Sequence, residues 1–177
     1  MTSIIKCNTY KDTNGNDLFN SDGSGNVTLS AGAMKMTPAF FVKLSGNQTI
    51  PDNTTTVVTF DSEVFDTDSA YASNKFTVPS GKAGKYVFGA TAGYSNVNAG
   101  TSTRFQLMFF KNGSSSDFIG DYAQAQSASA DPTQNFVTAF DLSASDYVDV
   151  RVYHNNGAST TLQSAYARFF GYRIIGA

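Results

Sequence analysis

One histidine, His154, one cysteine, Cys7, and one glutamate, Glu63, bound the chemistry this chain could perform. A Ser-His-Asp triad needs a general base, and His154 is the sole candidate. It follows a strand-like run and precedes Asn155-Asn-Gly157, so it reads as an exposed turn histidine. No Gly-x-Ser-x-Gly elbow accompanies it. A zinc centre takes several His or Cys ligands, which the chain lacks. Glycoside hydrolysis takes two facing carboxyls, and beside Glu63 only aspartates remain, most of them in turn-like runs. Asp12-Thr-Asn-Gly-Asn-Asp17 resembles the first half of a calcium loop. Its glycine is not at the sixth position, however, and no glutamate closes the loop at the twelfth. It reads as a turn. The residues point to no catalytic site, no enzyme and no required cofactor.

Such residues would have to be held by strands. In Phe140-Asp-Leu-Ser-Ala-Ser-Asp-Tyr-Val-Asp-Val-Arg-Val-Tyr153 a turn separates two alternating runs. Val148, Val150 and Val152 fall on one face and Tyr147, Asp149, Arg151 and Tyr153 on the other. Phe40, Val42 and Leu44 alternate likewise, as do Tyr86, Phe88, Ala90 and Ala92, and Phe105, Leu107 and Phe109. Asp61 to Ser73 reads as an acidic connection, and 95–102 and 123–132 as polar loops. Short strands between turn signals, without a convincing amphipathic helix, predict an all-β two-sheet sandwich. Bulky residues on both faces at Phe40/Phe41, Val148/Tyr147 and Phe169/Phe170 predict that one face packs against sister chains.

Composition agrees with that class. Aromatic residues make up 14% and charged residues only 15%, which is the opposite of a disordered chain. A net charge of −2 without any Lys/Arg run argues against nucleic acid as a partner. No stretch is long and apolar enough to insert in a membrane as a helix. A lone cysteine allows no intrachain disulfide, and the start lacks the apolar run of a signal peptide, so folding in a reducing cytoplasm, or export by no classical route, is expected.

Residues 1–36 differ from the rest. Ile4, Ile5 and Tyr10, then Leu18 and Phe19, then Val27 and Leu29 form short apolar pieces between Gly-rich turns. Strands so short cannot be stable alone, so this extension reads as an anchoring or stem segment.

With the strands placed, residues 37–177 resemble the C1q-like jelly roll, the fold shared with tumour necrosis factor. The resemblance rests on Pro38-Ala-Phe40, Val58-Thr-Phe-Asp61, Gly84-Lys-Tyr-Val-Phe88, Asp146-Tyr-Val-Asp-Val150 and Phe169-Phe-Gly-Tyr-Arg-Ile174, in that order. Ser145 stands where the family usually has glycine, and Phe170 where a small hydroxyl residue is common. The resemblance implies a ten-stranded jelly roll forming a homotrimer. It places Phe41, Tyr147, Asp149, Arg151, Tyr153, Phe169 and Arg173 around the three-fold axis, with Asp149 and Arg151 as an ion pair between subunits. It also raises calcium as a ligand, held by Asp61, Asp66 and Asp68 or by three copies of Asp149. No collagen-like stem precedes the domain. The leader is instead similar to those of marine bacteriophage virion proteins. The expected function is therefore a virion structural protein assembled in a bacterial cytoplasm, as a head decoration, knob or short fibre. It would be attached to other virion proteins through residues 1–36. The alternative is a tail-fibre tip whose distal loops bind a host-surface glycan or protein.

Overall fold

A computed structural model describes residues 7–29, 37–97, 103–114, 118–124 and 131–174. Three strands, β1 (Thr9–Lys11), β2 (Asp17–Ser21) and β3 (Val27–Leu29), form an antiparallel sheet that shares no ladder with the other described residues. Its two turns are built alike. Asp12 Oδ1 accepts from the backbone N–H groups of Asn14 and Asn16, and Asp22 Oδ1 from those of Ser24 and Asn26. The side chains of Asn16 and Asn26 donate to the second oxygen of the same aspartates. These bonds, those from the Asn side chains above all, hold both carboxyls below the usual range. The Asp12 run is thus a turn, and Asp-x-x-Gly-Asn recurs ten residues later.

The remaining strands make a two-sheet sandwich. One sheet holds β4 (Ala39–Lys43), β5 (Gln48–Ile50), β7 (Ser62–Asp66), β10 (Gly84–Ser95), β13 (Thr133–Leu142), β15 (Thr160–Leu162) and β16 (Arg168–Arg173). Across its middle the order is β13-β10-β16-β4-β7. The second sheet runs β12 (Phe118–Gln124), β11 (Arg104–Lys111), β14 (Tyr147–His154), β9 (Lys75–Thr77), β8 (Tyr71–Ala72), with β6 (Thr56–Val57) also paired to β14.

The expected jelly-roll sandwich is present, with more strands than the ten expected. Part of the excess lies in Asp61 to Ser73, which holds β7 and β8 rather than a plain connection. Phe41 and Phe65 are cross-strand partners there, and an aromatic pair offsets the polar composition of the run.

Phe88 lies at the centre of the core, within ring contact of Phe40, Phe76, Phe109, Phe140 and Phe169. Val148, Val150 and Val152 close it from the opposite sheet. Gly171 faces inward, where a Cβ would stand 2.4 Å from the Phe88 ring and 2.9 Å from that of Phe40. Only glycine lets those rings meet over β16. Ser145 takes a φ of 72° at the turn between β13 and β14, the left-handed conformation that glycine adopts without strain.

Candidate functional site

Each sheet of the sandwich presents one outward face, and the two faces differ in kind. On the β10–β16–β4 sheet, register aligns Val137, Gly89, Phe170, Phe41 and Phe65 in one row across five strands. Ala139, Val87, Tyr172 and Ala39 form the next row. The Phe170 ring lies over bare backbone, for a Cβ on Gly89 would stand 2.2 Å from its Cζ. Toward β7 the row opens into an apolar pocket of about 290 Å³ walled by Phe41, Phe65, Phe170 and Tyr172. At the opposite end Val137 projects, 61% exposed, and Phe65 at the pocket is 47% exposed.

The β11–β14 face is polar and aromatic. Arg151 donates to Asp149 through Nε (2.6 Å) and Nη2 (3.1 Å) and lies 4.2 Å over the Phe110 ring. That carboxylate raises the Arg151 pKa, against the opposing pull of partial burial. Lys75 Nζ sits 4.3 Å from the Tyr147 ring centroid, and the Arg104 guanidinium 4.9 Å from that of Tyr153. The Tyr153 hydroxyl donates to Asn53 Oδ1.

The residues expected around one axis do not share a face. Tyr147, Asp149, Arg151 and Tyr153 lie on the β11–β14 face, and Phe41 lies on the opposite one. Phe169 is fully buried among Phe40, Phe60 and Phe109, so it cannot reach a neighbouring chain. Its neighbour Phe170 points outward instead. Arg173 has the same inward parity as Phe169, and its Nη2 donates to the Ala83 carbonyl. Asp149 pairs within its own strand, two residues from Arg151, so the pair expected between subunits closes inside one chain.

His154 is not an exposed turn residue. It is fully buried, because β14 continues the valine alternation by one more step. Nε2 lies 3.0 Å from the Ile50 carbonyl, Nδ1 accepts from Asn156 N–H, and the ring stacks on Phe105. Both ring nitrogens are therefore engaged, which leaves no base for a triad.

The calcium candidates are dispersed among other partners. Asp61 accepts from Ser45, which lowers its pKa, Asp66 from Tyr71 N–H, and Asp68 pairs with Lys82 at 3.7 Å. Among the described residues no three His, Cys, Asp or Glu side chains are grouped to hold a metal ion.

Ile4 and Ile5 of the expected anchor lie outside the described residues, as do 98–102 and 125–130 of the expected distal loops. Tyr10, Phe19 and Leu29 form one row across the small sheet, the first two rings stacked at 4.3 Å, with Val27 on the same face and Leu18 on the other. Sequence reasoning missed Gly89 and Val137, and took Phe65 only as an anchor of a connection. A glycine inside a long alternating strand is a signal for close approach, and the bulky Phe170 was the residue that needed it.

No family model matches the sequence, and no curated protein is significantly similar. Solved structures do match. The globular domain of zebrafish complement 1qA superposes with a TM-score of 0.57 at 20% identity, covering 78% of this chain and 98% of that one. The fold is a C1q-like jelly roll. Murine APRIL at pH 5.0 shares it, with a TM-score of 0.55 at 12% identity over 77% of this chain and 98% of its own. The PRD1 vertex protein P5 shares this jelly roll as well, at 0.55 and 19% identity, over 79% and 99%.

Proposed function

We propose that the protein is a non-enzymatic structural component of a phage virion, a homotrimeric decoration, knob or short fibre whose residues 1–36 fix it to the particle. The observation that carries this reading is the apolar row on the β10–β16–β4 face. It is an apolar row spanning five strands, about 19 Å from first to last, and a contiguous apolar surface of this kind suits an interaction site. Its two ends differ: a pocket at Phe41 and Phe65, and a projecting Val137. Unlike ends on opposite edges favour a head-to-tail contact, which makes a ring where the rotation between chains closes, over a two-fold contact of one patch with itself. A jelly roll shared with the vertex protein of phage PRD1 supports placing such a ring on a virus particle. The apolar face of the leader sheet, Tyr10, Phe19, Val27 and Leu29, suits burial against another virion protein.

Light scattering on the full chain tests the reading. The expected mass is close to three times 18.9 kDa, and Phe170→Asp and Val137→Asp should each reduce it to one chain. A trimer that survives both changes, or a monomeric wild type, overturns the assignment.

A further inference from the structure

The β11–β14 face carries three cations, Lys75, Arg151 and Arg104, set along β14 over the rings of Tyr147, Phe110 and Tyr153. Tyr147 and Tyr153 are six residues apart on one strand, so the track is about 20 Å long. Asp149, 5% exposed, is taken up by Arg151, and Asp52, at the Tyr153 end, accepts from Asn53. The strip keeps a small positive excess, carried by Lys75 and Arg104, on a chain whose net charge is −2. We infer that this strip is a binding track for an acidic polysaccharide.

Three features favour that class of partner. The cations are held in place by their rings, and Arg151 also by Asp149, so less side-chain freedom is lost on binding an anion. Each ring already carries a cation, so the bare aromatic platform on which a neutral sugar or a nucleobase would stack is covered. A linear row of separated positive charges matches a linear polymer with separated negative ones. Lys75 and Arg104 would pair with carboxylate or sulfate groups. Gln106, the cross-strand partner of Tyr153, is placed for hydroxyls.

This inference rests on the preceding reading in one respect only. If the opposite face is the one buried in the ring, the track stays outward.

The test measures binding of the full chain to dextran sulfate, polygalacturonate, neutral dextran and single-stranded DNA, with the mass taken on the same samples. Binding to at least one acidic polysaccharide is expected, falling steeply with added salt, while neutral dextran is not bound. The sulfated and carboxylated polymers separate the two sources of negative charge. Lys75→Ala and Arg104→Ala should each weaken binding about fivefold, the worth of one cation beside an anionic surface. Lys75→Arg and Arg104→Lys should retain it. Lys85→Ala removes a cation from the other sheet and should change nothing. Equal loss from Lys85→Ala, no loss from the two track variants, equal binding of neutral dextran, or tighter binding of single-stranded DNA overturns the inference. A monomer that still binds the acidic polymer would sink the trimer and leave the track standing.

Discussion

Phe170 and Tyr147 are both aromatic residues pointing out of a sheet, yet their surroundings have little in common. Phe170 lies on the backbone of Gly89, with Phe41 as its strand neighbour and a pocket at its side. Tyr147 is covered by Lys75, as Tyr153 is by Arg104 and Phe110 by Arg151. On the β11–β14 face the chain supplies its own cover for the rings. On the β10–β16–β4 face no cation among the described residues lies over the Phe170 ring. An outward aromatic residue is therefore not in itself a sign of an interface; what counts is whether the chain provides a partner for its ring.

The contrast can be tested most strongly at adjacent residues. In a Phe170→Asp background, Phe169→Ala should destabilise the fold by about 3–5 kcal/mol, as deletion of a fully buried ring does. Urea unfolding at a fixed protein concentration measures it, and a loss below about 1 kcal/mol would contradict the inward placement of Phe169. A smaller effect is expected from Gly89→Ala, whose Cβ would meet the Phe170 ring at 2.2 Å. Displacing that ring should cost about 1–3 kcal/mol, and Phe170→Ala in the same chain should recover most of it. Additive losses in thermal unfolding would show that the ring does not rest there.

The smallest effect lies where the two faces are joined. Asp146, in the turn from β13 to β14, accepts from Asn112 Nδ2 (2.8 Å) and Ser143 N–H (2.9 Å), with Lys111 at 3.2 Å. The Asn112 bond above all holds its pKa below the ordinary aspartate value of 3.8. Its contribution is therefore complete above that value and is lost as pH falls through the lower, folded one. Asp146→Asn should cost about 1 kcal/mol at neutral pH and leave a shallower loss of stability on acidification. Urea midpoints at neutral pH and below pH 4 would show this, and identical acid profiles would refute it.

Much of the sandwich was legible in period-two alternation, because Val148, Val150 and Val152, or Phe105, Leu107 and Phe109, admit only one burial pattern. Doublets were not legible in the same way. Phe169-Phe170 can be placed in either parity, and what decides it is Gly171, whose missing side chain admits Phe40 and Phe88. His154 was read by its Asn-Gly neighbours although it continues the valine period. Phe65 was hidden in an acidic run, since composition there outweighed a five-residue strand. The division of the expected interface between two faces lay beyond local pattern altogether. It follows from which strands pair, and that depends on partners up to 133 residues apart, as between Ala39 and Tyr172.

That last pairing has a consequence for the order of events during synthesis. β16 sits between β10 and β4, in the middle of its sheet. Until residue 173 has left the ribosome, both flanking strands present open edges, and the cleft that Phe169 will fill is bare. The hairpins of residues 7–29 need only local contacts, which form within microseconds, whereas the sandwich stays unfinished, and open to misassociation, until β16 has emerged.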